Sequence, residues 1–242
     1  MNSPLTKLSI VIPCYNEERT VHLILDKVVN VKLVNNINKE LIIVNDCSKD
    51  KTKEVIENYF HQHPDIDFKL FNHEVNKGKG AAIHTGISKA TGEYLVIQDA
   101  DLEYDPREYN LLMQPVIDGF ADVVYGSRFI GGNPHRILFF WHSVGNKFLT
   151  TFSNMFTNLN LTDMETCYKL FRTTTIQNMK LCEKRFGFEP EVTAKIARVP
   201  KVRINEVGIS YYGRTYEEGK KIGWKDGLRA VWCILKYNLW SK

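Results

Sequence analysis

Three acids stand at alternating positions in Gln98-Asp99-Ala100-Asp101-Leu102-Glu103, directly after the apolar run Tyr94-Leu95-Val96-Ile97. In an extended backbone, residues at i, i+2 and i+4 point the same way. Asp99, Asp101 and Glu103 would then converge at the end of a buried strand. Hard carboxylate oxygens in such a cluster suit Mg²⁺ or Mn²⁺, ions commonly shared with a substrate diphosphate. A solvated acidic loop after a strand would read the same way, so the remainder of the chain decides between the two.

The elements that would position these acids can be read from hydrophobic runs and turn signals. Strands are expected at residues 8–13, 41–45, 68–71, 94–99, 122–125 and 202–209. Helices are expected at 21–31, 52–62, from the Lys77-Gly78-Lys79-Gly80 loop to about 92, and at 106–117, 136–159, 190–198 and 223–239. Strands alternating with helices predict an α/β fold with a mostly parallel sheet. Its ligand crevice should lie beyond the carboxyl ends of the strands. Polar clusters follow the strand-like runs at those ends: Pro13-Cys14-Tyr15-Asn16-Glu17-Glu18, Asn45-Asp46-Cys47-Ser48-Lys49-Asp50, the acids at 99–103, and Gly126-Ser127-Arg128. An aromatic ring, several carboxylates and a cation site suit a sugar nucleotide. No Gly-x-Gly-x-x-Gly follows the first strand and no Gly-x4-Gly-Lys-[Ser/Thr] occurs, which disfavours dinucleotide dehydrogenases and P-loop NTPases.

The 242 residues, 43% hydrophobic and 25% charged, fit one domain, with a nucleotide half at about 1–104 and an acceptor half at about 105–242. The net charge of +4 is uneven: residues 195–242 carry 11 Lys/Arg against 4 Asp/Glu. Such a basic segment points to phosphate groups or an anionic membrane surface. No nucleic-acid motif accompanies it, so no nucleic-acid partner is expected. Five scattered cysteines form no Cys-x-x-Cys pair and fit free thiols in a reducing compartment. Neither a signal peptide nor a run of ~18 apolar residues is visible. Residues 136–159 set Ile137-Leu138-Phe139-Phe140-Trp141, Phe148, Phe152 and Phe156 among polar residues and the cations Arg136 and Lys147. They read either as a helix at a membrane interface or as a core helix of the acceptor half. His22, His61, His63 and His73 lack ligand spacing and are expected at the surface.

Five ordered motifs carry a family resemblance: Ile-Pro-Cys-Tyr-Asn-Glu, Val-Asn-Asp-Cys-Ser-Lys-Asp, Asn-Lys-Gly-Lys-Gly-Ala-Ala, Gln-Asp-Ala-Asp-Leu-Glu-Tyr-Asp-Pro and Asp-Val-Val-Tyr-Gly-Ser-Arg-Phe. The chain resembles glycosyltransferase family 2, the inverting enzymes of GT-A fold, and within it the dolichyl- and polyprenyl-phosphate hexosyltransferases. The resemblance implies a GT-A type single domain in which Pro13, Tyr15 and Glu17 hold the nucleoside. Val44 and Asp46 would read the base edge. Asp99 and Ala100 would meet the nucleotide sugar, and Asp101 would bind Mg²⁺ or Mn²⁺ on the diphosphate, with Glu103 as a second metal ligand. Arg128 would face the acceptor phosphate, or pair with a structural acid. Arg214 would reach the donor diphosphate together with Lys220. Asp163 is either a helix or turn residue or a catalytic carboxylate; Glu189 and Glu191 are near-site candidates for which a structural role is the expectation. Asn45-Asp46-Cys47-Ser48 departs from the usual Asp-Asp-Gly-Ser and lacks the glycine that frees such a turn.

The implied reaction is metal-dependent transfer of a hexose from GDP-mannose or UDP-glucose to a polyprenyl phosphate. It would take place at the cytoplasmic face of a membrane, with peripheral contact or a membrane-anchoring partner. A glycan hydroxyl as acceptor would need a general base, and Asp163 is the first candidate. A non-catalytic nucleotide-sugar-binding subunit is the reading from outside enzymology.

Overall fold

The computed structural model describes residues 5–132, 134, 136, 140–214 and 223–240. Its frame is a seven-stranded sheet in the order β3-β2-β1-β4-β6-β5-β7. The strands are β1 (Lys7–Cys14), β2 (Asn38–Asn45), β3 (Phe68–Asn72), β4 (Tyr94–Ile97), β5 (Val123–Ser127), β6 (Lys169–Arg172) and β7 (Ile204–Gly208). The first three and β4 run parallel, β1 lying between β2 and β4, so the chain order reverses beside β1. That reversal opens a crevice at the carboxyl ends of β1 and β4.

The apolar runs behave as buried strands should. Ile10, Ile12, Leu41 and Ile43 face one layer and Val11, Ile42, Val44, Leu95 and Ile97 the other, all at most 1% exposed. This alternation at period two is the sheet's two-sided burial. The helices α1 (Val21–Asn30), α2 (Thr52–Gln62) and α3 (Lys79–Lys89) connect the parallel strands. Gly86 of α3 sits so close to β1 that a Cβ there would lie 2.2 Å from Val11 Cγ1. The helix expected at 106–117 begins as a 3₁₀ turn, Pro106–Glu108, whose Arg107 N–H is accepted by Asp105 at 3.0 Å, and continues as α4 (Tyr109–Ile117).

The strand β6 was not anticipated. It is four residues long, runs antiparallel to both β4 and β5, and carries a lysine, Lys169, with no solvent exposure. Lys169 is buried because its ammonium bonds the carboxylate of Glu189 on α7 (Phe188–Ile196) and the carbonyl of Thr166. A buried charge with a bonded partner is tolerated, whereas a lysine in a short apolar run reads as a surface position. The sheet is thus mostly parallel rather than wholly so. A short α6 (Thr173–Gln177) follows β6.

The expected helix at 136–159 forms α5 (Phe140–Thr157), and that at 223–239 forms α8 (Trp224–Leu235) with a π-helical turn, Lys236–Trp240. These two helices pack on each other. Only Thr150 and Ser153 of α5 are buried, while Trp141 is 78% exposed. Phe148, Met155, Trp232 and Trp240 are exposed as well. The core-helix expectation for α5 holds in part: Leu149 and Phe152 pack against the core, while Phe140, Trp141, Phe148 and Met155 form an outer face. Ile137 to Phe139 lie outside the described residues.

Candidate functional site

A cavity of about 370 Å³ opens at the carboxyl ends of β1, β2, β4 and β5 and takes in the ends of both halves of the chain. At one end the loops after β1 and β2 are laced together. Asn16 N–H donates to Ser48 Oγ at 3.0 Å, Lys49 N–H to Asn16 Oδ1 at 2.8 Å, and Glu17 N–H to Thr52 Oγ1 at 2.8 Å. Pro13, Tyr15 and Glu17 line the cavity as expected. Asp50 accepts from Thr52 N–H at the start of α2.

Asp46 also lines the cavity, but its carboxylate is occupied from behind. It pairs with His73 Nδ1 at 2.7 Å and accepts the N–H groups of Lys77 at 2.9 Å and Gly78 at 2.7 Å. Asp46 therefore fixes the loop that opens α3. Gly78 adopts φ +96°, and a Cβ on it would lie 2.4 Å from the Lys184 carbonyl oxygen, so this position requires glycine. His73 is not the surface residue expected from sequence: its side chain is 7% exposed and bridges Asp46 to Thr85 Oγ1. Val44 needs a second correction. Its side chain is wholly buried in the core against α3 and does not line the cavity, so it cannot read a base edge with that side chain.

The three acids do meet at the cavity, but not by the expected extended alternation: β4 ends at Ile97, residues 100–104 form a turn and bend, and Leu102 at φ 66° turns the chain between Asp101 and Glu103. Each acid meets a different partner. Asp99 bonds the Lys79 ammonium at 2.6 Å; burial would raise its carboxyl, yet Lys79 holds it below the ordinary range. Asp101 bonds Arg214 Nη2 at 2.7 Å, but burial and the neighbouring Asp99 and Glu103 still push its carboxyl up to about 7. Glu103 accepts from Tyr211 Oη at 2.7 Å and from Arg214 N–H at 2.8 Å, with Arg214 Nε at 3.4 Å. Arg214 also lies 3.8 Å from Glu17. Thus one arginine from the acceptor half spans the acids of the nucleotide half. Lys220 lies outside the described residues.

Among the described residues, no three His, Cys, Asp or Glu side chains surround a common point where a metal could sit. Mg²⁺ in nucleotide sites commonly takes only one or two carboxylates and completes its shell with phosphate oxygens and water. The donor set fits that pattern at Asp101, a carboxylate that lines the cavity between Asp99 and Glu103. It fits less well at Glu103, whose two oxygens are already engaged by Tyr211 and Arg214. The expected second metal ligand is instead the tether of Arg214.

At the other end of the cavity stands Arg128. It grips Asp163 in a bidentate pair, Nε–Oδ2 2.6 Å and Nη2–Oδ1 2.8 Å, and its guanidinium lies 5.1 Å from the Tyr211 ring centroid. Asp163 has no exposure and also accepts from Arg128 N–H and Asn146 Nδ2. It does not line the cavity. The catalytic alternative for Asp163 is corrected accordingly: three of the four hydrogen bonds it accepts come from Arg128 and the fourth from Asn146, leaving no lone pair for an acceptor proton. Burial would raise its carboxyl, but Arg128 keeps it lowered. Glu189 and Glu191 are structural as expected. Glu189 holds Lys169, and Glu191 accepts from the N–H groups of Cys182 and Glu183.

Several cavity residues were not singled out from sequence: Lys79, Tyr104, Glu165, Cys167, Arg185 and Tyr211. Lys79 was within reach, since it stands inside the Asn-Lys-Gly-Lys-Gly motif. It bridges Asp99 and Cys167 Sγ, the latter at 2.9 Å. Tyr104 likewise stands inside the Gln-Asp-Ala-Asp-Leu-Glu-Tyr-Asp-Pro motif, whereas Glu165, Cys167, Arg185 and Tyr211 are brought to the cavity only by the tertiary fold.

Comparison with known proteins bears on this arrangement. The family model described as "Glycosyl transferase family 2" matches residues 9–179. A dolichyl-phosphate beta-glucosyltransferase of Trichomonas vaginalis is 33% identical over 84% of this chain and 65% of its own length. A dolichol-phosphate mannosyltransferase of Pyrococcus furiosus is 29% identical over 52% of this chain and 34% of its own length. The chain thus spans less than two thirds of either relative. Among solved structures, glucosyl-3-phosphoglycerate synthase of Mycobacterium tuberculosis, crystallised with Mn²⁺, uridine diphosphate and phosphoglyceric acid, superposes with a TM-score of 0.73 at 16% identity. The match covers 97% of this chain and 79% of that one. The overall fold is shared with that structure.

Proposed function

The chain belongs to glycosyl transferase family 2 and has its GT-A fold, and on that premise we propose that it is an inverting, metal-dependent hexosyltransferase. The donor is a nucleotide-activated hexose, of which UDP-glucose and GDP-mannose are the two to test. The acceptor is a polyprenyl or dolichyl phosphate, in line with the two relatives, a dolichyl-phosphate glucosyltransferase and a dolichol-phosphate mannosyltransferase. The observation that carries the reading is the placement of Arg214 and Arg128 in one cavity with the acids 99–103. Two anionic groups, a leaving diphosphate and an attacking phosphate, need separate cationic partners. A sugar hydroxyl acceptor would need a general base, and the residue first considered for that, Asp163, is committed to Arg128.

The chain's residues divide the work. Tyr15, Pro13 and Glu17 embrace the nucleoside, while Asp46 keeps the Lys77–Gly78 loop against it. Lys79 keeps Asp99 ionised beside the sugar. Arg214, delivered by Glu103 and Tyr211, turns to the diphosphate as charge develops on the departing oxygen. Mg²⁺ or Mn²⁺ held by Asp101 would supply further neutralisation of that leaving group. Arg128 presents the acceptor phosphate, already an anion at neutral pH, to the anomeric carbon from the opposite face. A new C–O bond forms with inversion as the bond to the diphosphate breaks.

Among the described residues no helix is long and apolar enough to cross a membrane. The exposed aromatics of α5, α8 and the turn after it support peripheral contact with the membrane holding the acceptor. The test of function is incubation of purified protein with Mn²⁺ or Mg²⁺, a short-chain polyprenyl phosphate and radiolabelled UDP- and GDP-sugars, followed by lipid extraction. Label in the organic phase is expected. Its absence, with nucleotide binding intact, would move the acceptor to a glycan hydroxyl.

A further inference from the structure

Glu165 stands in the segment between α5 and β6 and lines the cavity along with Arg128 and Cys167. Its Oε1 is buried and has no hydrogen-bond partner among the described residues. Other carboxylates of the cavity are served: Asp46 by His73 and the 77–78 loop, Asp99 by Lys79, Asp101 by Arg214, and Glu103 by Tyr211 and Arg214. The cations near Glu165 are committed elsewhere. Lys169 bonds Glu189 and Arg128 bonds Asp163. A buried oxygen without a partner is costly, and native structures keep such groups where water or a ligand completes them.

The chemistry of the proposed ligands narrows what that partner is. The diphosphate and the acceptor phosphate already have cationic partners in the proposed reaction, Arg214 and Arg128. The nucleoside belongs to the end built by Tyr15 and Asp46. A hexose hydroxyl both donates and accepts, so it satisfies Glu165 whether the side chain is ionised or protonated. We infer that Glu165 hydrogen-bonds a hydroxyl of the transferred hexose and so helps select the donor sugar. This rests on the sugar-transfer reading above and adds a residue to it. Burial and the neighbouring Glu189 carboxylate push the Glu165 carboxyl up to about 8, which suits a group poised to donate to a sugar oxygen as well.

The test is calorimetric titration, with Mn²⁺ present, of the wild type, Glu165→Ala and Glu165→Gln. Each receives UDP, GDP, UDP-glucose, GDP-mannose and monodeoxy derivatives of the better-bound sugar nucleotide. Glu165→Ala should keep wild-type affinity for the free nucleoside diphosphate and lose roughly tenfold to hundredfold for the sugar nucleotide, the span expected for one buried hydrogen bond to a chargeable group. One deoxy derivative should lose the same factor on the wild type and nothing more on Glu165→Ala. Glu165→Gln, which keeps an oxygen acceptor and gains a donor, should restore most of the affinity. Equal weakening of the free diphosphate and the sugar nucleotide would overturn the inference. So would deoxy derivatives that lose alike on both proteins, or a fall in kcat at unchanged donor affinity, which would mark a base for the acceptor. Coupling to one hydroxyl without label transfer to polyprenyl phosphate would keep the inference and remove the acceptor reading. Binding of neither sugar nucleotide would remove the donor reading and the inference with it.

Discussion

Replacing Asp163 by Asn separates a residue that holds Arg128 from one that takes a proton. The two side chains form a bidentate pair, with Asp163 side-chain exposure at 0% and Arg128 at 12%. Asn146 Nδ2 and the Arg128 N–H fill the remaining acceptor positions. Asn at this site offers one oxygen where two were used and turns an N–H₂ group toward donors. Breaking a buried pair by removing one partner costs about 3–5 kcal/mol, because the other charge stays buried. For a chain of this size that corresponds to a fall in Tm of about 6–20 °C. The surviving oxygen places Asp163→Asn toward the lower end. The carboxyl is held below its ordinary value, so its contribution is complete above the unfolded value of 3.8 and is lost only as pH falls through the folded one. The Tm difference between wild type and variant should therefore be flat from about pH 5 to pH 9 and shrink in stronger acid. Thermal melts followed by circular dichroism across pH, with initial rates on the same preparations, supply both readouts. The double variant Arg128→Met with Asp163→Leu should recover much of the stability while remaining inactive, since it removes both charges together. A variant that melts within about 2 °C of the wild type but turns over roughly a thousandfold more slowly would refute this account and restore Asp163 as a catalytic base.

Three further perturbations follow from the contacts. Asp101→Ala should abolish turnover while leaving a folded protein that still binds nucleoside diphosphate; near-wild-type rates would remove the cation from this residue. Glu40, with no side-chain exposure, is held in the sheet by Lys69 at 2.6 Å, Ser9 Oγ at 2.6 Å and Thr91 Oγ1 at 2.9 Å. Burial opposes ionisation there, but Lys69, Ser9 and Thr91 bring its carboxyl down to about 2. Its stabilisation should be full above pH ~4.5 and vanish toward pH ~2. Glu40→Gln should cost about 2 kcal/mol at pH 7 by urea denaturation, and an unchanged acid limb would count against the assignment. Cys47 sits at φ 58°, where a side chain is strained by about 1–2 kcal/mol. After allowance for the flexibility glycine adds to the unfolded chain, Cys47→Gly should stabilise by about 0.5–1 kcal/mol; a lower denaturation midpoint would mean the Sγ contact to the Glu74 carbonyl at 3.4 Å matters more.

The parts of the site that sequence reveals are those set by local geometry. The apolar residues 94–97 read as a buried strand, and that places Asp99, Asp101 and Glu103 at its carboxyl end; the turn through Leu102 that brings the three acids together was not legible in their alternation. Pro13, Tyr15, Glu17 and Asp46 were legible as polar residues at the ends of β1 and β2, and their roles came from the family resemblance. Arg214 was reached through its motif, although its partners could not be read from the chain: Glu103 is 111 residues away. Long-range pairing is also why β6 escaped notice. Lys169 looks like a surface residue until Glu189 is brought against it by α7. The same holds for Asp163, whose role turns on Arg128, 35 residues earlier. His73 looked idle for want of metal-ligand spacing, yet its imidazole is what steadies Asp46. Spacing within one element is visible in sequence; the identity of a partner across the sheet is not.

The segment that ends at Arg214 joins the two halves in a way that neither half explains alone. Tyr212 N–H donates to the Glu103 carbonyl at 3.0 Å, Tyr211 Oη reaches the Glu103 carboxylate, and Arg214 then lies across Asp101 and within 3.8 Å of Glu17. A backbone bond and two side-chain bonds therefore position a cation whose head group is shared among carboxylates. Such a shared guanidinium is poorly matched where it is: Asp101 remains raised to about 7 despite the contact. A diphosphate is a stronger bidentate partner for a guanidinium than a single carboxylate oxygen. Donor arrival would let Arg214 exchange Asp101 for phosphate and free the Asp101 carboxylate, the residue that would hold a divalent cation. Glu103, by keeping its grip on the Arg214 backbone, allows that exchange without moving the chain. On this account Glu103 stands in the acid cluster to aim an arginine, and its two oxygens are occupied because aiming requires both.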